Sequence, residues 1–205
     1  MASETICTSR PAAADPQTPI WHLSREAARL TTYLTLRDGT TLGMRAICAN
    51  DTERLQAFHA CLSPETIYWR FFAALPTLPS QMAEHLTHVD YEQRMAIVAT
   101  TGTGIDEQIV AVVRYERAGP TVAEIAFVVE DGWQRRGIAT ALLHRLAAYA
   151  RRRGIAEFVA LTMGENMRLR RLLWHCGFPM RSSYDEGVFE VWLDIARPPT
   201  SADAW

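Results

Sequence analysis

The sequence has no apolar run approaching the roughly 20 residues that a membrane-spanning helix needs, which excludes a bilayer span. The stretch from residue 1 to 19 lacks a basic segment followed by an apolar one, so no secretory leader is expected. Cysteine is scarce. Cys7, Cys48, Cys61 and Cys176 stand far apart and form no Cys-x-x-Cys pair, the pattern of reduced, mostly buried thiols in a cytoplasmic protein. A single catalytic cysteine served by a distant histidine is the competing reading. Neither sign of charge dominates. Lys and Arg number 21 against 23 Asp and Glu, and the net charge of −2 argues against a general grip on nucleic acid or a membrane surface. The basic run Arg151-Arg152-Arg153 is local and closes a predicted helix, where positive charge suits the macrodipole. There is no internal repeat.

What is present is a balance of 48% hydrophobic and 21% charged residues over 205, enough for one globular domain with tails. Residues 1–30 read as a loose tail rich in Ala, Pro, Ser and Thr, ending in a short helix over 21–30. Residues 31–196 form the domain, and 197–205 a second loose tail. Asp38-Gly39 between two short strands predicts a hairpin, because glycine supplies the positive φ of a tight turn. Asn50-Asp51-Thr52-Glu53 reads as a capping box with Asn50 as the cap. Leu55, Phe58 and Leu62 then recur at helical spacing. Ser63-Pro64 opens another helix, whose Tyr68, Trp69, Phe71 and Phe72 either pack in the core or wall a substrate cleft. A third short helix follows Ser80.

Strands are predicted over 95–100, 108–116 and 122–129, with Thr101-Gly102-Thr103-Gly104 as a turn between the first two. Helix 137–153, strand 158–162, helix 166–175 and strands near 179–183 and 188–195 complete the chain. A run of antiparallel neighbours followed by strand, helix, strand gives an α/β (α+β) fold. Its sheet is mixed and mostly antiparallel, with one parallel crossover and helices on both faces.

The most informative stretch joins strand 122–129 to the following helix: Gln134-Arg135-Arg136-Gly137-Ile138-Ala139-Thr140. A helix start presents unpaired N–H groups and partial positive charge, a natural seat for phosphate. Gly137 and Ala139 remove bulk there, and Arg135 and Arg136 add charge. The competing reading is an ordinary strand-to-helix loop. The segment resembles the Gln/Arg-x-x-Gly-x-Gly/Ala motif of the GNAT acetyltransferase superfamily, and the strand before it and Gly177-Phe178 after the later helix fit as well.

The resemblance implies that acetyl-CoA is the co-substrate. It implies that backbone groups of Phe127, Val128 and Val129 pair with the pantetheine arm, and that the amides from Arg135 to Thr140 cradle the pyrophosphate. Asn166 would touch the pantetheine arm, a role compatible with a plain helix N-cap.

An amine attacking a thioester must lose a proton, and the carbonyl oxygen needs a hydrogen-bond donor as charge develops. Glu124 is the candidate base. It is the lone charge in a strand that otherwise reads as buried on both faces, so partial burial facing a wet cleft is expected. The alternative is a structural pair with a buried arginine such as Arg114.

The strand Ala123-Glu124-Ile125-Ala126 resembles one in bacterial Pat-type protein lysine acetyltransferases, where the glutamate is the base. Leu62-Ser63-Pro64-Glu65-Thr66 and Arg70-Phe71-Phe72 also resemble that subgroup, which implies a protein lysine as acceptor. Such domains often stand beside a regulatory domain, for which 205 residues leave no room.

The oxyanion donor is expected near Val128. The tyrosine that many GNAT enzymes use as general acid, four residues before the final glycine, is replaced by Leu173, with Tyr184 as a distant substitute. His85-x-x-His88 lacks a third ligand at recognisable spacing, so no metal is expected. A small-amine acetyltransferase and a non-catalytic acyl-CoA sensor stay open as alternatives.

Overall fold

A computed structural model of the chain describes residues 29–200. The expected helix over 21–30 falls almost wholly outside them, as do Cys7 and the first tail.

Eight strands form one sheet in the order β1-β2-β3-β4-β5-β6-β8-β7. They are β1 Thr32–Thr35, β2 Thr41–Ala46, β3 Arg94–Thr101, β4 Gln108–Arg117, β5 Val122–Val129, β6 Glu157–Met163, β7 Met180–Asp185 and β8 Val188–Asp194. The helices are α1 Thr52–Ala60, α2 Pro64–Phe71, α3 Ser80–Thr87, α4 Ile138–Arg151 and α5 Met167–Trp174. Every neighbouring pair is antiparallel except β5 with β6, which α4 joins as the crossover. The mixed sheet read from the sequence is therefore present.

Residue alternation sends the two sides of each strand into two cores. Ile97, Val113, Ile125 and Phe158 face the α4 and α5 side, with Leu142, Leu146 and Leu173. Ala96, Val98, Val112 and Val128 face the opposite side, with Leu55, Phe58, Ile67 and Ala83 from α1, α2 and α3.

The start of α1 differs from expectation. A 3-10 turn, Ala49–Asp51, precedes the helix, and Asn50 does not cap it. Asp51, fully buried, accepts the Cys48 amide at 2.9 Å and the Arg45 guanidinium at 2.6 and 2.7 Å. A buried carboxylate with a charged partner outcompetes an exposed asparagine for this corner. The thiols differ too: Cys176 is buried, Cys48 half-buried and Cys61 exposed. The helix α2 opens at Ser63-Pro64 as expected, with Ser63 as its cap, accepting the Thr66 amide at 3.2 Å.

Candidate active site

β5 is paired along its full length with β4 but only briefly with β6. The β5–β6 register runs Val122↔Glu157, Ala123↔Phe158, Glu124↔Val159 and stops there. Beyond Glu124 the two parallel strands diverge and leave one edge of β5 open.

The β4 ladder fixes which backbone groups face that opening. Val128, Ala126 and Glu124 lie opposite Val112, Arg114 and Glu116. The Glu130 amide donates to Val110 O at 3.0 Å, and the Ala118 amide to Val122 O at 3.0 Å. Antiparallel partners exchange bonds at alternate positions, so the even-numbered residues of β5 bond to β4. Phe127 and Val129 turn their N–H and C=O groups toward the opening. Val128 does not: its amide and carbonyl belong to the ladder with Val112, so of the three residues expected to pair with the pantetheine arm only Phe127 and Val129 face the opening. The Val129 carbonyl accepts Gln134 Nε2 at 3.0 Å. The Phe127 amide and carbonyl and the Val129 amide remain.

The open edge leads into the loop before α4. Arg135 has φ 61° and Gly137 φ 84°, both left-handed. Alternation of left- and right-handed residues turns successive amides toward a common point and forms an anion-binding concavity. The amides of Ile138, Ala139 and Thr140 are the first of α4 and have no intrahelical acceptor. Arg135 is exposed. Arg136 is engaged elsewhere: its guanidinium pairs with Asp38, donates to Thr40 Oγ1 at 3.0 Å and stacks on Trp133 at 4.5 Å. Gln134 also acts as a tie, donating to Thr66 Oγ1 at 3.3 Å and accepting from Arg168 at 3.1 Å.

Asp131, at the exit of β5, carries no signal in the sequence, because its partners lie 68 and 65 residues away. Its carboxylate accepts the Ser63 amide at 2.9 Å and the Ser63 and Thr66 hydroxyls at 2.8 Å each. Burial pushes this carboxyl up, but those three donors outweigh it and hold it below the usual range. The start of α2 is thereby pinned beside the loop that precedes α4.

Glu124 is exposed, not half-buried as expected, and forms no pair with Arg114. It occupies the last paired position before the strands part, with its side chain on the α1–α3 side. Glu116 stands directly opposite on β4, also exposed. Arg70, from the last turn of α2, interacts electrostatically with both carboxylates. Tyr68 and Phe72 are 42% and 41% exposed, whereas Phe71 packs on the second core. Asn166 is the N-cap of α5, its side chain accepting the Leu169 amide at 3.1 Å. Leu173 is completely buried. Tyr184 lies on the edge strand β7, its ring 4.6 Å from that of Phe189. Among the described residues no group of His, Cys, Asp and Glu could hold a metal ion, and no helix is long and apolar enough to cross a membrane.

A free strand edge that runs into an amide cradle at a helix start suits an extended ligand ending in phosphates. Comparison with known proteins supplies the class. The profile of the acetyltransferase (GNAT) family matches residues 65–178. The acetyltransferase Pat of Mycolicibacterium smegmatis is 32% identical over 179 residues, covering 83% of this chain and 52% of that protein. The chain thus spans about half the length of that relative. The crystal structure of the GNAT domain of S. lividans PAT matches with a TM-score of 0.76 and 36% identity, over 82% of this chain and 98% of that one. A spermidine N-acetyltransferase from Vibrio cholerae, solved with CoA and spermine, shares the fold alone: TM-score 0.58 at 16% identity, over 76% of this chain and 96% of that one. The chain belongs to the GNAT family of N-acetyltransferases, enzymes that take acetyl-CoA as co-substrate.

Proposed function

We propose that this domain transfers the acetyl group of acetyl-CoA to a protein lysine by direct attack, with Glu124 as general base. The observation that carries the reading is the position of Glu124, where β5 and β6 part. A pantetheine arm paired with Phe127 and Val129 along the open edge delivers its thioester beside that carboxylate. The pyrophosphate then meets the amides from Arg135 to Thr140, and Asn166, the N-cap of α5, contacts the pantetheine arm.

Chemically, Glu124 takes a proton from the acceptor ammonium. The nitrogen lone pair attacks the thioester carbon, and the amide of Phe127 or Val129 receives the developing oxyanion. Attack forms the C–N bond; collapse of the tetrahedral intermediate breaks C–S and releases the thiolate of coenzyme A, and the second proton on the nitrogen passes through water to that thiolate. Leu173 offers no proton, so the thiolate leaves unassisted or takes one from water. The exposure of Glu124, Glu116, Tyr68 and Phe72 supports an acceptor presented on a protein surface over a small amine held in a closed pocket. The free thiols of Cys48, Cys61 and Cys176 suit a cytoplasmic setting.

The test is release of coenzyme A thiol from acetyl-CoA with lysine-bearing proteins and small amines, for the natural chain and Glu124→Gln. Loss of the base lowers kcat by about 100- to 10,000-fold and leaves acetyl-CoA affinity unchanged. Full activity in Glu124→Gln assigns the base elsewhere. Acetyl-CoA binding without turnover on any acceptor replaces the enzyme with a sensor.

A further inference from the structure

On the side of the sheet that carries Glu124 stand two arginines that acetyl transfer leaves unused, Arg114 on β4 and Arg70 on α2. Arg114, on β4 opposite Ala126, is 7% exposed. Its Nη2 donates to Leu86 O at 2.6 Å, but its buried Nε has no acceptor. Arg70 is half-buried, stacks on Phe71 at 4.8 Å, and forms no hydrogen bond or ion pair among the described residues. Both arginines line one cavity of about 40 Å³, with Phe71, Leu78, Val112 and Val128 among its apolar walls. A space of that size admits a water or two, or a carboxylate, and nothing bulkier.

The electrostatics of the cluster favour an anion. Burial pushes Arg114 down to about 10, and the charge of Arg70 presses the same way, with that of Arg94 adding to it. Arg94 itself is spent on α3, donating to His88 O at 2.8 Å and lying 3.0 Å from the His85 ring. The acids that face this group are Glu116 and Glu124, and neither comes within ion-pair distance of Arg70 or Arg114. Three cations against two carboxylates, with one guanidinium almost fully desolvated, leaves buried positive charge that an arriving anion offsets. Ala126, beside Arg114, lies two residues from Glu124 on the same side of β5, about 7 Å along the strand. An acceptor whose nitrogen sits at Glu124 can place an acid at the arginines.

We propose that Arg70 and Arg114 bind a carboxylate of the acceptor, so that the site selects amines with an acid close to the nitrogen. This rests on Glu124 being the base. The carboxylate comes either from a free amino acid or from an acidic side chain beside the target lysine, and paired substrates separate the two. One pair is a free amino acid against its carboxamide. The other is an end-blocked peptide holding Glu-Lys against the same peptide holding Gln-Lys.

A charge-assisted hydrogen bond predicts that the acid form leads by about 10- to 100-fold in kcat/KM, mainly through KM. The pair that shows the preference names the source. In Arg70→Gln the preference drops below about 3-fold. Arg114→Gln does the same, and an acetyl-CoA titration shows whether that variant is folded. Equal rates for acid and amide in both pairs overturn the proposal and leave the cavity to water, while Glu124→Gln still decides the base. No turnover on any acceptor removes the base reading and this inference with it.

Discussion

A single side chain can show which chemistry a site has given up. Leu173 holds the place where the family resemblance implies a general-acid tyrosine, and its side chain is sealed in the core with α4 and β6. Leu173→Tyr therefore does not restore an acid. The ring is larger than the space it must fill, and its hydroxyl is buried without a partner. The variant is expected to lose about 1–3 kcal/mol of stability, read as a lower thermal midpoint, with no gain in turnover. Faster turnover with a new basic limb in the pH–rate profile overturns this. Glu124 teaches a complementary lesson. Its lone charge in an apolar strand marked it out in the sequence, but the expected reason was burial, whereas it is exposed at the point where β5 loses its neighbour. The position of the charge was legible. The splay that gives it meaning is a property of β6, some thirty residues on, and leaves no local trace.

At the scale of elements, the first turn after β2 shows how a distant charge overrides local grammar. Asn50-Asp51-Thr52-Glu53 reads as a capping box from sequence alone, yet Asp51 is drawn inward by Arg45 at 2.6 Å. Arg45 also pairs with Glu107 at 2.7 Å, and Arg54 lies 3.6 Å from Asp51, so β2, α1 and the start of β4 share one ion network. Burial pushes the Asp51 carboxyl up, but the Arg45 guanidinium and the Cys48 amide outweigh it and leave it below its ordinary value. A carboxyl depressed by folding contributes stability above its unfolded pKa of about 3.9 and loses it as pH falls through the folded value. Asp51→Asn is accordingly expected to cost about 3 kcal/mol at neutral pH, the lower end for a broken buried pair because Arg45 keeps Glu107. The deficit begins to narrow below about pH 4, where the carboxyl of the unfolded chain takes up a proton, and closes only as pH falls through the lower folded value. Denaturant melts of both chains at pH 7 and pH 3 check this, and an equal deficit at the two pH values argues against the ion pair. Among the described residues the strands and helices themselves were legible to within a residue or two, since hydrophobic period and turn residues are local. Asp131 with Ser63 and Thr66, and Arg70 with Arg114, were not, since each joins residues that only the sheet brings together.

Across the whole molecule, the same divergence of β5 from β6 links fold to ligand. The sheet is continuous on the β4 side and open on the other, so neighbouring amides of one strand differ sharply in what they bond to. Ala126 and Val128 are tied to Arg114 and Val112, while the amides of Phe127 and Val129 turn to the other side, where β6 is no longer paired. Hydrogen exchange reads that difference directly. In the free chain, the amides of Phe127 and Val129 are expected to exchange much faster than those of Ala126 and Val128. Saturating acetyl-CoA then slows Phe127 and Val129 together with the amides from Arg135 to Thr140. Ligand binding also stabilises the folded state as a whole, by about 2.7 kcal/mol at a hundredfold excess over Kd, and that slows every amide exposed by global unfolding. The discriminating result is the pattern beyond this common shift. If the coenzyme completes the open edge like an added strand, the odd-numbered amides of β5 gain protection that their even-numbered neighbours already had. A uniform gain along β5 means that the pantetheine arm lies elsewhere, and that the opening between the strands serves the acceptor instead.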